Sequence, residues 1–333
     1  MSEQTNYDEI EQQPAFDDAL QELREGRDLP GPEVLYGLSA LNQEQLAQFQ
    51  EVWGTLESTY RSVLMQMLVD ASEANYRLNY DAIGLINLDA PEPQVRQAAI
   101  EMLWEDESEQ LLQHLFWAAK NDPALEVRAE AAKSLGRFVY ASEMGHAIEK
   151  YEAEVQQILL DILRASEEAL DVRRFALESL ANCTHGELPQ LIHQAYHSDE
   201  DAFRVSAVVA MGRSCDAQRW EDHVLRELDS HDMDMRREAT RAAGELQLTD
   251  AVPAIVRFLQ EGEREDQEVA IWSLGEIGGK EATRILQSLA DGAEENEDEE
   301  LAALIDDALG NASLADGDWM LLDIDPDELD YGD

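Results

Sequence analysis

Glu126-Val127-Arg128-Ala129-Glu130-Ala131-Ala132-Lys133-Ser134-Leu135-Gly136 is the stretch that decides the fold, because the chain writes it again and again. Variants begin at Gln94 (QVRQAAIEMLW), Asp171 (DVRRFALESLA), Ala202 (AFRVSAVVAMG), Asp234 (DMRREATRAAG) and Glu265 (EDQEVAIWSLG). They close on Trp104, Gly136, Ala181, Gly212, Gly244 and Gly275, at steps of 32, 45, 31, 32 and 31 residues. A period of that size means a stack of similar helical units.

The form of the phrase follows from helix geometry. Counting from Val127 as zero, the positions 0, +4 and +8 lie along one helical face. Position 0 is Val127, Val172, Phe203 or Met235; position +4 is always Ala (Ala99, Ala131, Ala176, Ala207, Ala239, Ala270); position +8 is Leu103, Leu135, Leu180, Met211, Ala243 or Leu274. The Ala lets a partner helix come close. A Gly at +9 costs a helix about 0.5–1 kcal/mol relative to Ala, so its repetition asks for a packing reason, contact between neighbouring units being the simplest.

Each unit reads as two antiparallel helices over residues 72–310. The first carries an apolar stripe such as Leu111, Leu112, Leu115 and Phe116; a turn such as Asn121-Asp122-Pro123 follows; the second carries the phrase. The long step places an insertion at about 138–154. Residues 14–71 lack the phrase and read as a helical N-terminal cap, with a helix beginning near Pro14 and broken at Leu29-Pro30-Gly31-Pro32. Residues 1–13 are polar and read as disordered, and so does the acidic tail 311–333. From Asp291 to Asp333 there are 17 acidic residues and no Lys or Arg. The whole is an all-α chain, a right-handed α-solenoid of antiparallel helix pairs.

The net charge of −49 repels nucleic acid and anionic lipid, which bind mainly through cations. No apolar run reaches the ~20 residues that span a bilayer. The N-terminus has neither the basic nor the apolar region of a signal peptide, so the reading is cytoplasmic. Cys183 and Cys215 fall near the same place in adjacent units and read as two small packing side chains.

Arg recurs at +1 as Arg96, Arg128, Arg173, Arg204 and Arg236, each near acidic residues. A structural ladder, with each Arg bridging to a carboxylate or turn carbonyl, is one reading; a row of anion sites is the other. The last unit has Asp266-Gln267 where Val-Arg is expected, which weakens its rung.

At this point the units resemble HEAT repeats, of the bacterial type also seen in phycobilisome-lyase-like HEAT proteins. The pattern is Asp-x-Val-Arg-x-x-Ala-x-x-x-Leu-Gly over about residues 90–290. The resemblance implies an armadillo-like scaffold for protein binding, with second helices lining a concave side. It also implies an alternative, a bilin lyase or lyase subunit.

On that side the positions +6 and +10 offer Lys133, Arg137, Arg213, Arg241 and Trp272 as a basic and aromatic strip for a partner protein. Ordinary charge pairing along the helices is the plainer reading. The tail cluster Trp319-Met320-Leu321-Leu322, set among acids, is a candidate intramolecular occupant of the strip. His193 and His197 have a zinc-compatible spacing but no evident third ligand, so no metal is expected. No phosphate loop, nucleophile elbow or Cys/His catalytic signature occurs, and no cofactor is implied.

Overall fold

The computed structural model describes residues 4–25, 29–145, 149–295 and 298–315. Among these, 18 α-helices and two short 3-10 turns occur and no strand. The chain divides into two compact units, Met1–Leu180 and Ala181–Asp333.

The first unit holds α1 (Gln4–Glu25), α2 (Pro32–Gly37), α3 (Gln43–Trp53), α4 (Ser58–Ala74), α5 (Asp81–Asn87), α6 (Pro93–Met102), α7 (Glu109–Asn121), α8 (Leu125–Glu143), α9 (Glu152–Arg164) and α10 (Leu170–Leu180). α1 contains the boundary expected at Pro14, because the polar lead is rich in Glu and Gln, which favour helix. The Leu29–Pro32 break is followed at once by a short helix, since Pro32 sits at the N-terminal position where its missing N–H costs nothing. α3 starts on a reciprocal cap: Asn42 Oδ1 accepts from the Gln45 N–H and Gln45 Oε1 accepts from the Asn42 N–H, both at 3.0 Å.

The pairs α5/α6, α7/α8 and α9/α10 pack within themselves, and the second helices α4, α6, α8 and α10 pack in succession. The first part of the insertion expected at 138–154 lengthens α8, which runs on to Glu143 and buries Phe138, Val139 and Ala141. A 3-10 turn at Glu149–Tyr151 then reaches back to α7, where Lys150 Nζ lies 2.7 Å from Glu109 Oε2 and the Tyr151 hydroxyl bonds the same carboxylate.

The second unit holds α11 (Leu188–Tyr196), α12 (Asp201–Arg213), α13 (Ala217–Glu227), α14 (Met233–Glu245), α15 (Val252–Glu261), α16 (Arg264–Ile277), α17 (Gly279–Glu295) and α18 (Glu299–Ala315). Its pairs are α11/α12, α13/α14, α15/α16 and α17/α18, and α12, α14, α16 and α18 pack in succession. The terminal helix runs to Ala315, past the Gly310 at which the sequence suggested a stop.

The Ala at +4 is fully buried in all six phrases, from Ala99 to Ala270. The Gly at +9 marks the closest approach between second helices. A Cβ on Gly212 would stand 2.8 Å from Ala242 Cα, on Gly244 2.9 Å from Ser273 Cα, and on Gly275 2.9 Å from Ala308 Cα. Ala242 and Ser273 are themselves the +7 residues of the next phrase. Two serines at +7 complete the junction: Ser179 Oγ donates to the Ala132 carbonyl at 2.8 Å, and Ser273 Oγ to the Thr240 carbonyl at 2.9 Å.

The +1 arginines lie in these same junctions. Arg96 makes a two-pronged pair with Asp122, at 2.7 and 2.8 Å, and donates to the Ala90 carbonyl. Arg128 grips Glu168 in the same way, at 2.9 and 3.1 Å, and donates to the Asp122 carbonyl. Arg173 donates to the Leu163 carbonyl, Arg204 to the Ser198 carbonyl and Arg236 to Glu261. The departure in the last phrase has its own partner: buried Asp266 accepts from Arg237 Nε at 2.6 Å, and Arg264 of the same helix pairs with Asp298 at 2.9 Å.

Candidate functional site

A recess of about 610 Å³ in the first unit opens on its second helices. That is within the ordinary range for a ligand site, roughly 300–1,000 Å³. α4 contributes Val69, Ser72 and Glu73, with Tyr76 just beyond its end. α6 contributes Glu101, with Trp104 just beyond its end. α8 contributes Glu130, Lys133, Ser134 and Arg137. The two rings are unusually open to solvent, 84% for Tyr76 and 56% for Trp104. The same face of α8 continues one and two turns further through exposed Tyr140 and Met144, at helical spacing.

Trp104 lines the recess just past the end of α6. It stands at +9, the position that is glycine in the phrases ending at Gly212, Gly244 and Gly275, where the next helix comes to touching distance. An indole cannot be placed in that gap. The facing +7 residue is Ser134, whose counterparts Ser179 and Ser273 each bond a carbonyl of the preceding helix. Ser134 is 8% exposed and its hydroxyl has no hydrogen-bond partner among the described residues.

The electrostatics of the recess are uneven. Burial raises the Glu101 carboxyl above its ordinary range, and the nearby Glu130 carboxylate raises it further, with Lys133 opposing. Lys133 Nζ is held to Glu130 at 3.4 Å. Arg137 turns inward: one terminal nitrogen donates to the Asp106 carbonyl at 3.2 Å, its guanidinium lies 4.9 Å from the Phe138 ring centre, and its Nε is buried without a partner. Burial pushes its pKa down to about 10, so it stays protonated at neutral pH.

Of the strip expected from the sequence, Lys133 and Arg137 line this recess. Arg213, Arg241 and Trp272 belong to the second unit. There Arg241 pairs with Glu238 at 3.0 Å, and Trp272 packs against Gly244. Arg213 and Arg241 both hold down the carboxyl of Glu245, which burial nevertheless pushes up to about 7. Trp319, Met320, Leu321 and Leu322 lie outside the described residues.

His193 and His197 stack with ring centres 4.3 Å apart, and His197 Nδ1 lies 2.9 Å from the His193 carbonyl. Among the described residues no group of three His, Cys, Asp or Glu could hold a metal ion, and no helix is long and apolar enough to cross a membrane. The two cysteines are free and differ in setting, Cys183 buried and Cys215 exposed.

Tyr76, Glu101, Trp104 and Ser134 are not among the strip residues expected from the sequence. The signal was present in one place: Trp104 closes the first phrase where glycine or alanine closes the others.

Helix pairs with buried +4 alanines, glycine junctions and a turn-spanning arginine agree with the sequence comparison. The family model for HEAT repeats matches residues 83–169 and 221–305, together just over half of the chain. The chain belongs to the HEAT-repeat family.

No curated protein matches this HEAT-repeat chain. Solved structures that are similar include YibA of E. coli, 15% identical with a TM-score of 0.43, covering 85% of this chain and 98% of that one. Human deoxyhypusine hydroxylase in complex with glycerol is 17% identical with a TM-score of 0.34, covering 81% and 98%. Kap95, in its complex with Nup1, is 15% identical with a TM-score of 0.42, covering 89% of this chain and 46% of that one. At such values none of them bears on what this HEAT-repeat protein binds.

Proposed function

We propose that this chain is a protein-interaction scaffold that holds a segment of a partner protein on its second-helix face, the concave side in the sequence reading. The observation that carries this is the recess on α4, α6 and α8 with Tyr76 and Trp104 turned to solvent. Exposed aromatic side chains at the mouth of a recess are the usual anchors of an interface, because they bury a large area with little loss of side-chain entropy. A photo-crosslinker in place of Tyr76 should capture one protein that, once purified, binds the chain with a Kd of about 10 μM or tighter. The same group in place of Trp117, exposed on the first helix α7, should not. Equal capture from both positions, or none from Tyr76, would remove the reading.

Within the same proposal, the acidic tail with its Trp319–Leu322 cluster lies along the second-helix strip of the second unit, Arg213, Arg241 and Trp272. Deleting residues 316–333 should then speed amide exchange in α12 and α14. Unchanged exchange would discard this part.

A further inference from the structure

We infer that the first-unit recess is a receptor for a basic side chain, an arginine or lysine of a partner segment, held between Tyr76 and Trp104 against the Glu101 carboxylate. The inference rests on the scaffold reading and names the chemistry of what that face accepts.

Three observations meet here. The first is the junction at α6 and α8: Trp104 stands where later phrases have glycine, and Ser134, on the wall of the recess, has a hydroxyl with no hydrogen-bond partner among the described residues. A donor entering the recess has that hydroxyl oxygen to bond. The second is the state of the carboxylates. Glu73 and Glu101 have no ion pair and no hydrogen bond among the described residues, whereas Asp122 and Glu168 of the same unit are each held by an arginine fork. The crowding of Glu101 by Glu130 and Glu73 is relieved by a cation and worsened by an anion. The third is the pair of open rings. Faces of Tyr and Trp attract a guanidinium or ammonium group, and more strongly when a carboxylate shares the site. Arg77 already lies 5.9 Å from the Tyr76 ring centre, which shows that the ring accepts such a group on one side.

The cations of the recess do not argue for an anionic ligand. Lys133 is held to Glu130 and Arg137 is turned to a backbone carbonyl and the Phe138 ring. The chain as a whole carries −49, a field that draws in a basic partner and turns away an acidic one.

The test uses the full chain and a fluorescein-labelled heptapeptide with a single arginine between two leucines, at about 150 mM salt where long-range fields are screened. The arginine peptide should bind roughly tenfold more tightly than its citrulline version, and the glutamate version should not bind. Trp104→Gly, Tyr76→Ala and Glu101→Gln should each lose about tenfold in affinity. Tyr76→Ala guards against misfolding, since that ring is almost free of packing. Glu221→Gln, the same charge change on an exposed position of α13, should leave binding unchanged. Equal binding of arginine and citrulline peptides, or equal losses from Glu221→Gln and Glu101→Gln, would overturn the inference. If arginine selectivity fails while the Tyr76 cross-link succeeds, the basic-receptor inference falls and the scaffold reading stands.

Discussion

The carboxylate of Glu245 on α14 occupies the space that a side chain on Gly212 of α12 would need: a Cβ there would lie 2.0 Å from Glu245 Oε2. Behind the carboxylate stands backbone, with Ala242 Cα at 2.8 Å, so the neighbour cannot simply swing away. Gly212→Ala should therefore destabilise the second unit by about 1–3 kcal/mol through overpacking, despite the better helix propensity of alanine. Gly310→Ala is the control. Nothing lies within 4 Å of a Cβ there, so the change should stabilise by roughly 0.5–1 kcal/mol. Urea unfolding of both variants reads the difference.

The same carboxylate carries a pH dependence. Glu245 is raised from 4.5 to about 7 in the folded chain, first by burial. Between those values the folded state holds a proton that the unfolded state has released, so this group's contribution to stability falls as pH rises through that window. The full effect above pH 7 is about 3 kcal/mol at most. Glu245→Gln should flatten the stability profile between pH 5 and 8 and be more stable than the parent at pH 8. A profile as steep as the parent's would show that another group is responsible.

Asp122 titrates with the opposite sign. Burial pushes its carboxyl up, but the Arg96 fork, the Ala124 N–H and the Arg128 charge bring it below its ordinary value of 3.8. Its contribution is present above about pH 4 and lost as pH falls through the depressed folded value. Asp122→Ala should destabilise the first unit by roughly 3 kcal/mol at pH 7, because it leaves Arg96 without its carboxylate in a largely buried site. At pH 2 the gap between variant and parent should shrink. Acid unfolding followed by circular dichroism measures both.

Cys215 is exposed and Cys183 buried. An aromatic disulfide reagent should modify one thiol quickly in the native chain and the second only on unfolding. The two cysteines are close to one repeat step apart, yet they do not share a setting. Cys215 has left the helix, with a φ of 52°, whereas Cys183 still packs.

Much of the architecture is legible in the repeated phrase. The buried face of every second helix follows from the 0, +4, +8 spacing, and Ala131, Ala176 and Ala207 sit fully buried on it. The recess was legible only in part. Trp104 announces a break in the glycine series, and Glu101 and Lys133 share the +6 position that the sequence marks as facing away from the core. Spacing singles out the basic residues of that face, but Lys133 and Arg241 spend their charge on Glu130 and Glu238 one turn away. Pairing within a helix depends on rotamers, which spacing does not dictate.

Periodicity alone determined that the chain is a series of helix pairs with alanine seams, because a helix repeats its geometry every turn and a buried stripe must repeat with it. Tertiary structure decided which junctions close and which open. Ser134, Ser179 and Ser273 share one position in the phrase, yet two reach a carbonyl and one faces a recess. Their fate rests on how closely two second helices approach, and the residue some thirty positions earlier differs between those junctions, Trp104 in one and Gly244, at touching distance from Ser273, in another.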